Sequence, residues 1–303
     1  MYRIIIHGGA GTWQGDKERI EGALNAIRSA LESSLKILEG GGSAGDAVVE
    51  ALKIMEDSGF FNAGSGSVLN IEGVREMDAA YGDSMGNIGA VASVKYPKNP
   101  IILARYVAEE TDHLLLAGEG ADSLAARLGL EKIGPPSSRI LRRYGELVDN
   151  YKGLKRFKRN RKVAEFLYGD TIGAVALDEN GGIAVGVSTG GIWLKLPGRV
   201  GDTPIFGGGF YITEDYAVCA TGIGETIMKG LVSYRAYQVY ELTGDVYRSL
   251  MVAVDEARKI MPESTGLIAL DKHGSLAYRF NTKHMMIAYY DGREKIYKLE
   301  SRE

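Results

Sequence analysis

Leu167–Gly191, LYGDTIGAVALDENGGIAVGVSTGG, is the stretch on which the reading of this 303-residue chain turns. From Thr171 onward small and β-branched residues alternate with glycine, and Asn180-Gly181 interrupts them. That dipeptide readily adopts the left-handed backbone of a tight hairpin turn, so the spacing predicts two strands joined there. Both runs are apolar on both faces, as in a sheet covered above and below. Upstream the composition differs: between Arg139 and Lys162 there are ten Lys/Arg and two acidic residues. The segment from 134 to 170 reads as a solvated linker ending at Asp170, because neither an aromatic platform nor a recognisable nucleic-acid-binding motif surrounds its charge.

Working outward, YRIIIH near the N-terminus is a buried strand, with GGAGTWQG as the loop after it. Ile20, Leu24, Ile27, Leu31, Leu35 and Leu38 make a helical stripe over 16–39. Ser43 and Asp46 form a capping signature opening a second helix through Met55. Strands are predicted around 67–69, 77–81 and 88–96, and helices near 100–109 and 120–128. Beyond the seam, YAVCATG and HMMIAYY are strands, 225–242 is helical, and STGLIALDKHGSLAYRF is a hairpin turning at His273-Gly274. Strands and helices in both halves predict one α+β domain, a four-layer α-β-β-α sandwich.

With 45% hydrophobic and 25% charged residues and a net charge of −3, the chain is globular and has no global pull toward nucleic acid or anionic membranes. No apolar run reaches membrane-spanning length, and a cytoplasmic location is expected. Cys219 is the single cysteine, which excludes an intrachain disulfide and a cysteine metal cluster, and it reads as a buried strand residue.

Four glycine motifs bear on chemistry. Gly9-Ala10-Gly11 fails the dinucleotide fingerprint because Gln14 occupies its last glycine position. Gly186-Val187-Ser188-Thr189-Gly190 matches the nucleophile-elbow pattern, but GIWLKLPGRVGD cannot begin the helix an elbow requires. LPGRVGD places Arg199 three residues before Asp202. A guanidinium matches a carboxylate and a carboxylate holds an ammonium, so the pair suits a zwitterion; a surface ion pair is the plain alternative. In ATGIGE, the Thr221 hydroxyl and Gly222 N–H open a helix and suit either an oxyanion or an ordinary cap.

Thr171 joins these pieces. A threonine hydroxyl needs a base, and the four histidines show no pattern that provides one. If Thr171 were the first residue of a chain, its own α-amine, with a pKa of about 7.7–8.0, would serve. That requires a cut between Asp170 and Thr171.

IIIHGGAG, FNAGSGSVLN, MDAA, IGAVASVKYPKNPIILAR, GEGAD, TIGAVALD, STGG, LPGRVGDTPI and ATGIGE occur in order along most of the chain. Together they resemble the plant-type L-asparaginases, also called isoaspartyl aminopeptidases, which are N-terminal-nucleophile hydrolases. The resemblance implies self-cleavage into an α subunit of residues 1–170 and a β subunit of residues 171–303. Thr171 would then attack L-asparagine or β-aspartyl dipeptides, without a cofactor. It further implies that Thr189 orients the nucleophile and that Thr221 and Gly222 hold the oxyanion. Arg199 would hold the substrate carboxylate, Asp202 and Gly224 its amine, and Asn62 would lie near the nucleophile. The backbone carbonyls of Met55, Glu56, Ser58, Phe61, Ala63 and Ser65 would hold a structural sodium. Small molecules are the expected partners, with assembly as a dimer of αβ units. A glycosylasparaginase, which shares the Asp-Thr junction but usually reads T-G-N-G-D and S-T-N-G, is the alternative among enzymes. A catalytically silent amino-acid-binding protein is the alternative outside them.

Overall fold

A computed structural model describes residues 1–13, 16–152 and 171–302. Asp170 and the linker beyond residue 152 lie outside the described residues.

Two sheets stack face to face. The larger has eight strands in the order β12-β11-β1-β5-β6-β2-β3-β4. Its centre is β1 (Arg3–Gly11), β5 (Ile172–Leu177), β6 (Ile183–Thr189) and β2 (Met77–Asp83), followed by β3 (Ile88–Val94) and β4 (Leu115–Ala117). Its other edge is β11 (His284–Tyr290) and β12 (Lys295–Ser301). The smaller sheet runs β10-β9-β8-β7, from β7 (Phe210–Ile212), β8 (Tyr216–Gly222), β9 (Thr265–Asp271) and β10 (Leu276–Phe280). The predicted hairpin is the β5–β6 pair, closed by Asp178, whose carboxylate accepts the N–H groups of Asn180 and Gly182 at 2.9 Å each.

Three apolar layers hold the sandwich together. α1 (Lys17–Glu39), α2 (Ala44–Ser58), α3 (Pro100–Glu110) and α4 (Gly118–Arg127) pack Ile27, Leu31, Val48, Leu52 and Ile101 on the outer face of the large sheet. Between the sheets lie Ile5, Val175, Val185, Cys219, Ile268 and Ile287. Under the small sheet are α6 (Gly224–Gly230), α7 (Val232–Thr243) and α8 (Val246–Ile260), whose Ile227, Ala236, Leu250 and Val254 meet Val218 and Leu267. Burying each of these larger side chains contributes about 1.5–3 kcal/mol, which is why strands apolar on both faces end up here. The four-layer α-β-β-α sandwich is the predicted one.

Several elements differ from expectation. β1 continues through the glycines to Gly11, with a register shift between His7 and Ala10, because β11 supplies partners on the far side. Residues 67–69 form no strand; Leu69 makes only an isolated bridge with Arg75, after a 3₁₀ turn at Gly64–Gly66. The basic segment is helical in its first part: α5 (Ser138–Lys152) seats Ile140 and Leu147 against Val68, Leu69, Trp193 and Leu194. The helix predicted over 225–242 breaks at Leu231, which sits at φ 44 between α6 and α7. Among the described residues, no helix is long and apolar enough to cross a membrane.

Candidate active site

Strand register builds the site. Ile172 pairs with Ser188 across β5–β6, which sets Thr171 beside Thr189, and their hydroxyl oxygens hydrogen-bond at 3.2 Å. Asp78 of β2 pairs with Thr189 on the other side. Three neighbouring strands thus present Thr171, Thr189 and Asp78 abreast, all buried. Thr189 Oγ1 also accepts the Gly191 N–H at 3.0 Å and the Asn62 amide at 3.4 Å. That amide donates to the Gly191 carbonyl at 2.6 Å as well, while Asn62 Oδ1 accepts the Val68 N–H at 2.9 Å. Asn62 therefore reaches Thr171 through Thr189 and the following turn.

The small sheet closes the site from above. Thr221, at the end of β8, is fully buried, and its Oγ1 accepts the Ala10 N–H at 3.2 Å. One lone pair is thereby occupied and the hydroxyl proton stays free to donate. Gly222 has φ 132, and a Cβ there would fall 2.0 Å from the Ser264 carbonyl oxygen, so no other residue fits. The chain then enters α6.

Arg199 and Asp202 meet Thr171, Thr189, Gly222 and Gly224 around one small cleft. A Cβ on Gly224 would come within 2.9 Å of both Arg199 Nη2 and Asp202 Oδ1, so the glycine keeps the two charged groups open to the same space. Glu225, which sequence reasoning passed over, takes the Nε and Nη2 edge of Arg199 at 2.9–3.1 Å. The opposite side of the guanidinium, at Nη1, faces Gly191 and Gly201. Burial alone would push the Glu225 carboxyl up, but hydrogen bonding to Arg199 holds it below the usual range. Asp202 is buried at the cleft; desolvation pushes its carboxyl up to about 7 against the opposing pull of Arg199, and its Oδ2 has no hydrogen-bond partner. A carboxylate so placed suits an ammonium group.

His7, which carried no assignment in the sequence, is fully buried, and with Cys219 it fills the space a Cβ on Gly173 would occupy. Burial lowers His7 to about 3 and pushes the Cys219 thiol well up, so neither ionises near neutral pH. A histidine so hard to protonate is a poor proton acceptor for Thr171, although its ring lies against the Thr171 backbone. A roomier groove of about 880 Å³, between β10 and the β11–β12 edge, shares no residue with this cleft.

An α-β-β-α sandwich with a threonine at the head of a central strand is the architecture of the N-terminal-nucleophile hydrolases. Within that class the comparisons are specific. A sequence profile described as asparaginase matches residues 1–298. The chain is 42% identical to the plant-type L-asparaginase of Pyrobaculum calidifontis, over 94% of this chain and 95% of that one. It is 42% identical to the plant-type L-asparaginase of Thermococcus kodakarensis, over 97% and 98% of the two chains. With the isoaspartyl peptidase of Escherichia coli the identity is 36%, over 94% and 92%. The chain belongs to the asparaginase family.

Proposed function

We propose that the protein cuts itself between Asp170 and Thr171, giving chains 1–170 and 171–303, and that the new N-terminal threonine hydrolyses L-asparagine and β-aspartyl dipeptides. The observation that carries this reading is the 3.2 Å contact of the Thr171 and Thr189 hydroxyls in a cleft that also holds Arg199 and Asp202.

Arg199 takes the substrate α-carboxylate through its Nη1 side, and Asp202 with the Gly224 carbonyl takes the α-ammonium. These contacts direct the side-chain carbonyl carbon toward Thr171 Oγ1. The free α-amine of Thr171 removes the Oγ1 proton, which avoids any need for histidine. Thr189, relieved of that proton as a donor to it, turns its own hydroxyl toward the attacking oxygen. Oγ1 adds to the carbonyl carbon, and the negative oxygen is held by the Thr221 hydroxyl and the Gly222 N–H. Collapse breaks the C–N bond; the amine proton goes to the leaving nitrogen, releasing ammonia or the C-terminal amino acid of the dipeptide. Water, deprotonated by the same amine, then cleaves the Thr171 ester to give aspartate.

The loop carrying Asn62 suits a structural monovalent cation. The Glu56 carbonyl comes within 2.7 Å of where a Gly64 Cβ would lie, and the Phe61 carbonyl within 2.1 Å of a Gly66 Cβ, so this turn packs its backbone oxygens closely against both glycines. The carbonyls of Met55, Glu56, Ser58, Phe61, Ala63 and Ser65 would hold sodium, which would brace Asn62 and take no part in bond breaking. Assembly as a dimer of αβ units in the cytoplasm completes the reading.

The test is to assay ammonia release from L-asparagine and amino-acid release from a β-aspartyl dipeptide, with the wild-type protein and with Thr171→Ala. The wild type should turn over both and the variant neither. Turnover by Thr171→Ala would remove Thr171 as nucleophile.

A further inference from the structure

The substrate clamp does not stand on its own loop. Glu76 and Asp78 lie two residues apart at the start of β2, so their side chains share one face of the strand, and both are buried. The Glu76 carboxylate accepts the Gly198 N–H at 3.1 and 3.2 Å and the Asn70 amide at 3.0 Å. The Ser93 hydroxyl at 3.2 Å and Lys95 at 3.8 Å complete its surroundings. Asp78 Oδ1 accepts the N–H of Ser93 at 2.8 Å, while its Oδ2 is buried with no hydrogen-bond partner. The Lys195 ammonium donates to the Glu76 carbonyl at 2.6 Å, and with Arg199 it faces the Asp78 carboxylate. The loop is therefore tied at Lys195 and Gly198, with Arg199 directly after the second tie and the Asp78 carboxylate facing it.

Two features mark this as more than ordinary packing. Asp78 is the cross-strand partner of Thr189, so the residue that faces Arg199 is in register with the nucleophile's neighbour. Ser93 is held at φ 53, a left-handed conformation that a non-glycine residue keeps only where surrounding contacts over-determine it. Its N–H bond to Asp78 and its hydroxyl bond to Glu76 are two such contacts.

We propose that Asp78, assisted by Glu76 and Lys195, is a positioning residue for substrate recognition: it fixes the 195–202 loop so that the Arg199 guanidinium meets the substrate α-carboxylate at a set distance from Thr171. This rests on the reading of Arg199 given above. Asp78 touches neither substrate nor the reacting atoms. Its loss should therefore weaken carboxylate recognition while chemistry at Thr171 continues.

The test compares L-asparagine with 3-aminopropanamide, which is asparagine without its α-carboxylate, using wild-type and Asp78→Asn protein whose cleavage at Thr171 has been verified by mass. Asparagine at position 78 keeps the acceptor for Ser93 but loses the charge facing Arg199 and Lys195. The expected result is a KM for L-asparagine raised about 10- to 100-fold, the scale of one charged hydrogen bond. The kcat should stay within about threefold of wild type, and kinetics toward 3-aminopropanamide should change little. Equal losses on both amides, or a fall in kcat at unchanged KM, would overturn the proposal and leave Asp78 a purely structural residue. A wild-type enzyme that does not prefer L-asparagine over 3-aminopropanamide would overturn the Arg199 reading first and this proposal with it. If Asp78→Asn does not fold, Glu76→Gln, which weakens the tie at Gly198, reads the same two substrates with the same expected and overturning results.

Discussion

Replacing Thr221 by valine removes one hydroxyl and almost nothing else, because the side chain is fully buried and valine has nearly the same shape. Two consequences follow. In the transition state the oxyanion keeps only the Gly222 N–H, and losing one such donor lowers kcat by about 10²–10³, or roughly 2.7–4 kcal/mol. In the ground state the Ala10 N–H, which now reaches Thr221 Oγ1 at 3.2 Å, loses its acceptor. An orphaned buried N–H costs about 1–3 kcal/mol, a drop of several degrees in Tm for a domain of this size. The two effects separate experimentally. Ammonia release from L-asparagine by fully cleaved enzyme should show the kcat loss with KM within a few fold, because Arg199 and Asp202 are untouched. A thermal melt should show the modest destabilisation, and Thr221→Ser should recover both. A kcat for Thr221→Val within about threefold of wild type would refute the oxyanion assignment.

Four further outcomes follow from the same geometry. The Asp202 carboxyl sits at about 7, so acidification neutralises it and weakens the hold on the substrate ammonium; kcat/KM should fall as pH drops from about 8 to 6, steepened by protonation of the Thr171 amine. For folding the sign is opposite. A carboxyl raised by burial favours the folded state below its unfolded value near 3.8, and that contribution is lost as pH rises through about 7, so Asp202→Asn should gain stability most at alkaline pH, which melts across pH would show. Arg199→Lys keeps the charge but cannot hold both Glu225 and a substrate carboxylate with one planar fork, and its KM for L-asparagine should rise roughly 10- to 100-fold in steady-state assays. Exchanging sodium for a bulky organic cation should lower Tm and the activity of cleaved enzyme together, through the loop that carries Asn62; unchanged melting would argue against a cation there.

Much of the fold was legible because local chemistry and tertiary environment agree. Asp16 and Ser43 cap the helices they were expected to start, and the doubly apolar runs at β5, β6 and β9 lie between layers. What was hidden needed partners distant in sequence. The apolar side of α5 is four residues in a segment dominated by positive charge, and it becomes visible only once Trp193 and Leu194 are set against it. β12 alternates charged and apolar residues at a sheet edge and resembles any solvated surface stretch until β11 pairs with it. The site divides in the same way. Thr171, Thr189, Arg199, Asp202 and Gly222 are singled out by short motifs or by the resemblance they carry, and the fold brings them to one cleft. Asp78, Glu76 and Glu225 meet the clamp loop or its guanidinium only through tertiary contacts, which no spacing in the sequence discloses. The pairing of His7 with Cys219 beneath Gly173 was likewise invisible from positions so far apart in the chain.

The central claim is that Thr171 becomes a chain terminus. Intact-mass measurement of the purified 32.8 kDa protein, before and after warming at neutral pH, tests it most directly. The account predicts two chains whose masses sum to the precursor plus one water, the smaller beginning at Thr171. A single uncut chain that nonetheless releases ammonia from L-asparagine would contradict it, because Thr171 would then have no free amine to act as its base.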